Sequence, residues 1–171
     1  MRYLLDKNIV RYAITGLLYG RRRLLSSLEV GALSFMRVAE ADDHSLYISH
    51  VSFEVLKRLK QYAEVNVILT EVDVLFPTRY YSRWSRRVRE TSGLSREDAA
   101  IIALASFGTN SAGSILGTHA VVTYDQPMVN GYRQNLPLLQ QRLRAMTNQL
   151  SVPFYLAKLP EILTPDQFLQ R

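Results

Sequence analysis

Cysteine is absent from this chain of 171 residues. That one absence excludes disulfides, zinc–thiolate sites and thiol nucleophiles, and leaves a chain compatible with a reducing compartment. A metal, if bound, must sit on oxygen or imidazole, and imidazole is scarce: the histidines are His44, His50 and His119. None of them stands in a pattern that pairs it with a second acid–base group, so metal-free histidine catalysis has little to build on. Eight glycines and six prolines are too few for a linker or a low-complexity tract, and no internal repeat occurs. There is no run of about 20 uncharged residues of the kind that spans a bilayer. The opening MRYLLDKNIVRYAITGLLYG carries Asp6, Lys7 and Arg11 within its apolar stretch and has no clean signal-peptide core. The expectation is a soluble, cytoplasmic protein with one domain over residues 1–171.

What is present fits that expectation. Hydrophobic residues make up 47% of the chain and charged residues 21%, a globular composition. Acids are in deficit, 15 against 21 Lys plus Arg for a formal charge of +6, and the excess favours attraction to polyanions such as nucleic acid.

Along the chain, strand signals alternate with helix signals. YLL (3–5) reads as a strand ending at Asp6, and Ile9, Ala13 and Leu17 then recur at the spacing of one helix face. Residues 21–40 repeat a helical pattern after a basic start, ADDHS is a loop, and SLYIS (45–49) is a second strand. Val51, Val55, Leu59 and Tyr62 line one face of an amphipathic helix whose other face holds Lys57, Arg58 and Lys60. VDVLFPT (72–78) is a third strand, RYYSRWSRRVRE (79–90) a basic helix, and LSREDAAIIALAS (94–106) a helix capped by Ser95. After a Gly/Ser-rich loop at 107–118 come the strand HAVVTYD (119–125), an added helix within 130–151, and a last strand at VPFYLAKL (152–159). Alternation of this kind predicts an α/β fold of three layers, α/β/α, around a mainly parallel sheet of four to five strands.

Ligands of such sheets bind beyond the carboxyl ends of the strands, where Asp6 and Asp125 both fall. Each acid also has a plain structural role. Asp6 suits a helix N-cap, Asp125 a strand-end turn, Asp98 a capping box with Ser95, and Glu54 an exposed pair with Arg58. Asp98 nevertheless shares a helix face with Ile101, Ile102 and Ala105, which turns it inward, where a carboxylate needs a partner. Taken together, acids that converge on one sheet end require a cation or a shared proton, and hard divalent ions such as Mg²⁺ or Mn²⁺ fill that role with oxygen ligands.

The segments YLLDKNIV, ISHVSFEVLKRL, LSREDAAIIALAS and VVTYD, in that order, resemble the PIN domain, a nuclease family whose members include toxin ribonucleases. The similarity covers residues 2 to about 126, and LPEILTPDQFL (159–169) resembles the way such domains close. The resemblance implies that Asp6, Glu54, Asp98 and Asp125 form the metal site of an endoribonuclease that uses Mg²⁺ or Mn²⁺. Asn8 and Thr123 would brace the Asp6 and Asp125 loops. Three departures stand out: Pro127 occupies a place where many relatives carry a further acid, the 107–118 loop is long, and so is the 130–151 segment.

On that resemblance the substrate is RNA, single-stranded or structured. Arg79, Arg83, Arg86, Arg87 and Arg89 would meet its phosphates. Tyr80, Trp84 and Val88 fall at i, i+4 and i+8, the spacing of a packed stripe, although Tyr80, Tyr81 and Trp84 are also of a type that stacks on bases. A toxin of this family implies an antitoxin partner. The apolar stretches ITGLLYG and LLSSLEVGALSFM imply a homodimer through the N-terminal helices. Two rivals remain: a nuclease-like scaffold in RNA processing with little activity, and a phosphatase of haloacid-dehalogenase type. The second wants an Asp two positions after Asp6, where this chain has Asn8.

Overall fold

The structure is a computed structural model that describes residues 1–170. Six strands, β1 (Arg2–Leu5), β2 (Ser45–Ser49), β3 (Asp73–Pro77), β4 (Gly108–Thr109), β5 (Ala120–Val122) and β6 (Glu161–Leu163), form a mostly parallel sheet in the order β4-β3-β2-β1-β5-β6. It is flanked by helices α1 (Lys7–Tyr19), α2 (Ser27–Ala41), α3 (His50–Lys57), α4 (Ala63–Glu71), α5 (Tyr81–Ser92), α6 (Arg96–Phe107), α7 (Gln126–Thr147) and α8 (Pro165–Leu169). The α/β class is as the alternation predicts, with more strands than expected. β4 has two residues and β6 three, too short for a periodic signal.

The chain divides into two compact units, one of residues 1–74, 122–124 and 163–171 and one of residues 75–121 and 125–162. In the first, β1 pairs in parallel with β2, Leu4 opposite Tyr47 and Leu5 opposite Ile48. Both strands are continuous apolar runs, as strands covered on both faces are. Ile9, Val10 and Ala13 bury the inner face of α1. Tyr3, Phe35 and Phe168 meet edge to face, with ring centroids 4.7 Å apart for Phe35 and Phe168.

Helix α2 begins at Ser27, six residues after the start of its basic lead. Ser26 and Glu29 form a reciprocal capping box there, and Arg23 donates to both Glu29 carboxylate oxygens at 2.6 and 2.8 Å. Arg23 and the Ser26 backbone N–H hold the Glu29 carboxyl down to about 2, from an ordinary 4.5.

The helix expected through residue 62 stops at Lys57, and its expected core face is open: Val51 is 61% exposed and Val55 53%. Leu56 is the residue that α3 buries. The chain turns over 58–62, which breaks the register assumed for Leu59 and Tyr62. It then re-enters α4, for which the sequence offers no cap signal and Tyr62 makes no side-chain cap bond.

In the second unit β4 pairs antiparallel with β3, Phe76 opposite Thr109, so the Gly/Ser-rich loop opens as strand. Helix α5 packs on α6 and α7 and buries Trp84 and Val88 completely. At Gly117, φ +63°, a Cβ would run into the Ala105 and Ser106 carbonyl oxygens, so glycine is required. The 130–151 segment is most of α7, which starts directly after Asp125 with Pro127 in its first turn. That is a position where proline's missing N–H costs nothing. Residues 152–159 form no strand. Phe154–Leu156 is a single 3₁₀ turn that follows Pro153, and proline cannot supply a ladder donor.

Candidate active site

The carboxyl end of β1 carries a braced carboxylate. The backbone N–H of Asp6 donates to the Val122 carbonyl at 3.0 Å, which ties the end of β1 to the end of β5. From the Asp6 side chain, Oδ1 accepts from the Lys7 N–H at 2.6 Å, the N-cap bond of α1. The other oxygen, Oδ2, accepts from Asn8 Nδ2 and from Thr123 Oγ1, each at 2.7 Å. Asn8 in turn donates to Thr123 Oγ1 at 3.2 Å and accepts from the Tyr124 N–H at 3.3 Å. Thr123 is fully buried, so its hydroxyl holds the carboxylate from a site that water does not share.

Tyr124, which the sequence did not single out, completes this corner. Its hydroxyl donates to the Leu28 carbonyl of α2 at 2.9 Å, and its ring meets Tyr12 edge to face at 5.6 Å. Burial, then the nearby Asp166 and Tyr12, push its pKa up to about 12, so it stays a neutral donor. Gly31 makes this possible, since a Cβ there would stand 2.5 Å from the Tyr124 oxygen. The only sequence signal for Tyr124 is its place between Thr123 and Asp125.

The other three acids are placed as follows. Asp125 caps α7, its Oδ1 accepting from the Met128 N–H at 2.9 Å. Asp98 lies in the first turn of α6, its Oδ2 accepting from the Ser95 hydroxyl at 2.7 Å while Ser95 accepts from the Asp98 N–H. It is half-buried, so it serves the cap and still turns partly inward. Glu54 stands exposed on α3, and its expected pair with Arg58 does not form. Asp6 and Glu54 belong to the first unit, Asp98 and Asp125 to the second. Among the described residues no three His, Asp or Glu side chains gather closely enough to hold a metal ion. The acids offer carboxylate oxygen alone, which fits Mg²⁺ or Mn²⁺ in donor chemistry. Local geometry therefore supports Asp6 individually, and the other acids enter by their order in the chain.

Of the basic residues, Arg79 precedes α5 and lies over the rings of Tyr80 and Phe154, at 4.8 and 5.0 Å. Tyr80 itself packs on Phe154 and Phe107, and Trp84 is covered, so of the stacking candidates Trp84 offers no open ring. Arg83 and Arg86 are exposed and Arg87 is half-buried. Arg86 lines a pocket of about 270 Å³ together with Arg89 and Arg96.

No protein-family model matches the chain, and no curated protein matches it. Among solved structures it is similar to the crystal structure of VapBC2 from Rickettsia felis bound to a DNA fragment from their promoter. The TM-score is 0.52 and the identity 14%, over 96% of this chain and 98% of that one. At that identity the likeness concerns the fold alone.

Proposed function

We propose that this protein is a divalent-cation-dependent endoribonuclease of PIN type, with Asp6, Asp98 and Asp125 as metal ligands and Glu54 as an outer ligand or water-orienting group. The observation that carries this is the Asp6–Asn8–Thr123 network, which fixes a carboxylate at the joined ends of β1 and β5. Support also comes from the four motifs in sequence order and from the fold likeness. When bound, Mg²⁺ or Mn²⁺ supplies Lewis-acid activation of water and neutralises phosphate charge. The chain's own residues do the rest. Thr123 and Asn8 hold Asp6 in one orientation, as partners behind a ligand do, while the basic α5 attracts the phosphate backbone.

Small free-standing members of the PIN family are often toxins held by an antitoxin, and the likeness to VapBC2 is in keeping with that role here. We place a homodimer at the N-terminal helices, where Leu24, Leu28 and Val30 are exposed apolar residues. Light scattering across concentrations should give a dimer that Val30→Glu converts to monomer; a monomeric parent at all concentrations would sink the dimer.

Cleavage of mixed single-stranded RNA with Mn²⁺ or Mg²⁺, with and without chelator, tests the function. The expected result is chelator-sensitive cutting that disappears in Asp6→Asn and Asp98→Asn. A second reading is favoured by the caps at Asp98 and Asp125, which an inert fold would need equally. No cutting by folded, metal-replete wild type would select that reading, a binding or scaffold module.

A further inference from the structure

On α5, Ser82, Arg86 and Arg89 recur at i, i+4 and i+7, with Tyr81 and Ser85 beside them, on the face away from buried Trp84 and Val88. Arg96, at the start of α6, closes this stripe into the pocket of about 270 Å³. Arg86, Arg89 and Arg96 are all exposed, and among the described residues none of the three has a carboxylate partner. Three guanidinium groups that share a concave wall repel one another, and such an arrangement calls for an anion.

The donors indicate which anion. Each guanidinium presents five N–H groups in a planar fork, and three hydroxyls stand among them. A side-chain carboxylate has about four lone-pair sites and leaves most of these donors unused. A backbone phosphate accepts through two charged non-bridging oxygens set tetrahedrally, with two ester oxygens beside them, and so meets donors from more directions than a planar carboxylate does. Burial pushes the Tyr81 pKa up, with Arg96 pulling the other way, so its hydroxyl remains a donor beside that arginine. The volume falls below the roughly 300–1,000 Å³ of pockets that enclose whole small molecules. It suits a phosphate and its sugar on a flexible strand, whereas a rigid duplex keeps its phosphates on a convex surface. Trp84 is covered, and Tyr81, the aromatic residue of the lining, is half-buried and enters through its hydroxyl, so the pocket reads backbone and not base.

We propose that the pocket between α5 and α6 is a backbone-phosphate subsite for single-stranded nucleic acid, formed by Arg86, Arg89 and Arg96 with the hydroxyls of Tyr81, Ser82 and Ser85. The identity of the polyanion rests on the nuclease reading; the anion chemistry of the pocket does not.

The test is fluorescence anisotropy of a short labelled oligouridylate against Asp6→Asn protein, across a potassium chloride series. Arg89→Gln and Arg96→Gln should each weaken binding about tenfold and flatten the slope of log K against log salt by about 0.7 for each phosphate that is no longer neutralised. Arg142→Gln, at an exposed site on α7, should change neither quantity, and oligomers of other base composition should bind alike. Circular dichroism checks that each surface variant is folded. Wild type that cleaves RNA, with pocket variants that bind like their parent, overturns the subsite and leaves the nuclease standing. Wild type that does not cleave, with pocket variants that lose salt-dependent binding, removes the nuclease and keeps the subsite. A glutamate-rich peptide that binds more tightly than the RNA, or an absence of oligonucleotide binding, overturns the subsite.

Discussion

The Thr123 hydroxyl donates to Asp6 Oδ2 at 2.7 Å across 117 residues of sequence. A buried donor thereby sets the direction of a half-buried carboxylate. Thr123→Val keeps the volume and removes the donor, which should cost about 1–3 kcal/mol of stability. RNA cleavage should fall about 10- to 100-fold, as for other groups that orient a metal ligand. Thr123→Ser should recover most of both. Urea unfolding and initial cleavage rates are the measurements, and a fully active Thr123→Val protein would mean that Asp6 needs no brace.

Trp84 is the one tryptophan in the chain and is fully buried. Its fluorescence should resist aqueous quenchers and should not change when RNA is added. Trp84→Ala should lose about 3–5 kcal/mol through cavity formation, while Trp84→Phe should bind oligonucleotide like wild type. Quenching of the emission by RNA would show a stacked ring and contradict this packing.

Glu29 links stability to acid. Its folded pKa of about 2 lies below its ordinary 4.5, so between those values the unfolded chain binds the proton and the folded one does not. The stabilisation is complete above about pH 5 and is lost as pH falls toward 2. Urea midpoints taken down this range should fall less steeply for Glu29→Gln, which has no proton to bind there. Identical pH dependence in the two proteins would rule Glu29 out as the source.

Much of this fold was legible because strong local signals agreed with tertiary demand. The runs of β1 and β2 are apolar because both sheet faces are covered, and Ser95 and the Ala-rich α6 announce a helix with its cap in place. The stripe of Tyr80, Trp84 and Val88 packs as its spacing predicts. Legibility failed where a signal was short or a register broke. Val51 and Val55 keep helical spacing, but the turn after Lys57 denies Leu59 and Tyr62 a place on the same face. Helix α4 lacks a capping side chain, and β6 has three residues between Pro160 and Thr164. At the candidate site the acids are visible one by one in the sequence, and the resemblance points to Asn8 and Thr123 as braces. Tyr124 went unseen because its contacts with Leu28 and Tyr12 join distant parts of the chain. The Arg96 side of the pocket has no sequence signal either, since the two consecutive helices read as separate patterns and the angle at which they pack is set by the fold.

The close approach of Gly31 to Tyr124 limits how this sequence can drift. A side chain at position 31 displaces the tyrosine hydroxyl from Leu28, and a smaller residue at 124 removes that bond and opens a gap beside Gly31, so each change has a cost when made alone. Lineages that change one are expected to change the other with it. A paired substitution at 31 and 124 in distant sequences would therefore mark descent from this corner of the fold even where the surrounding motifs have become unrecognisable.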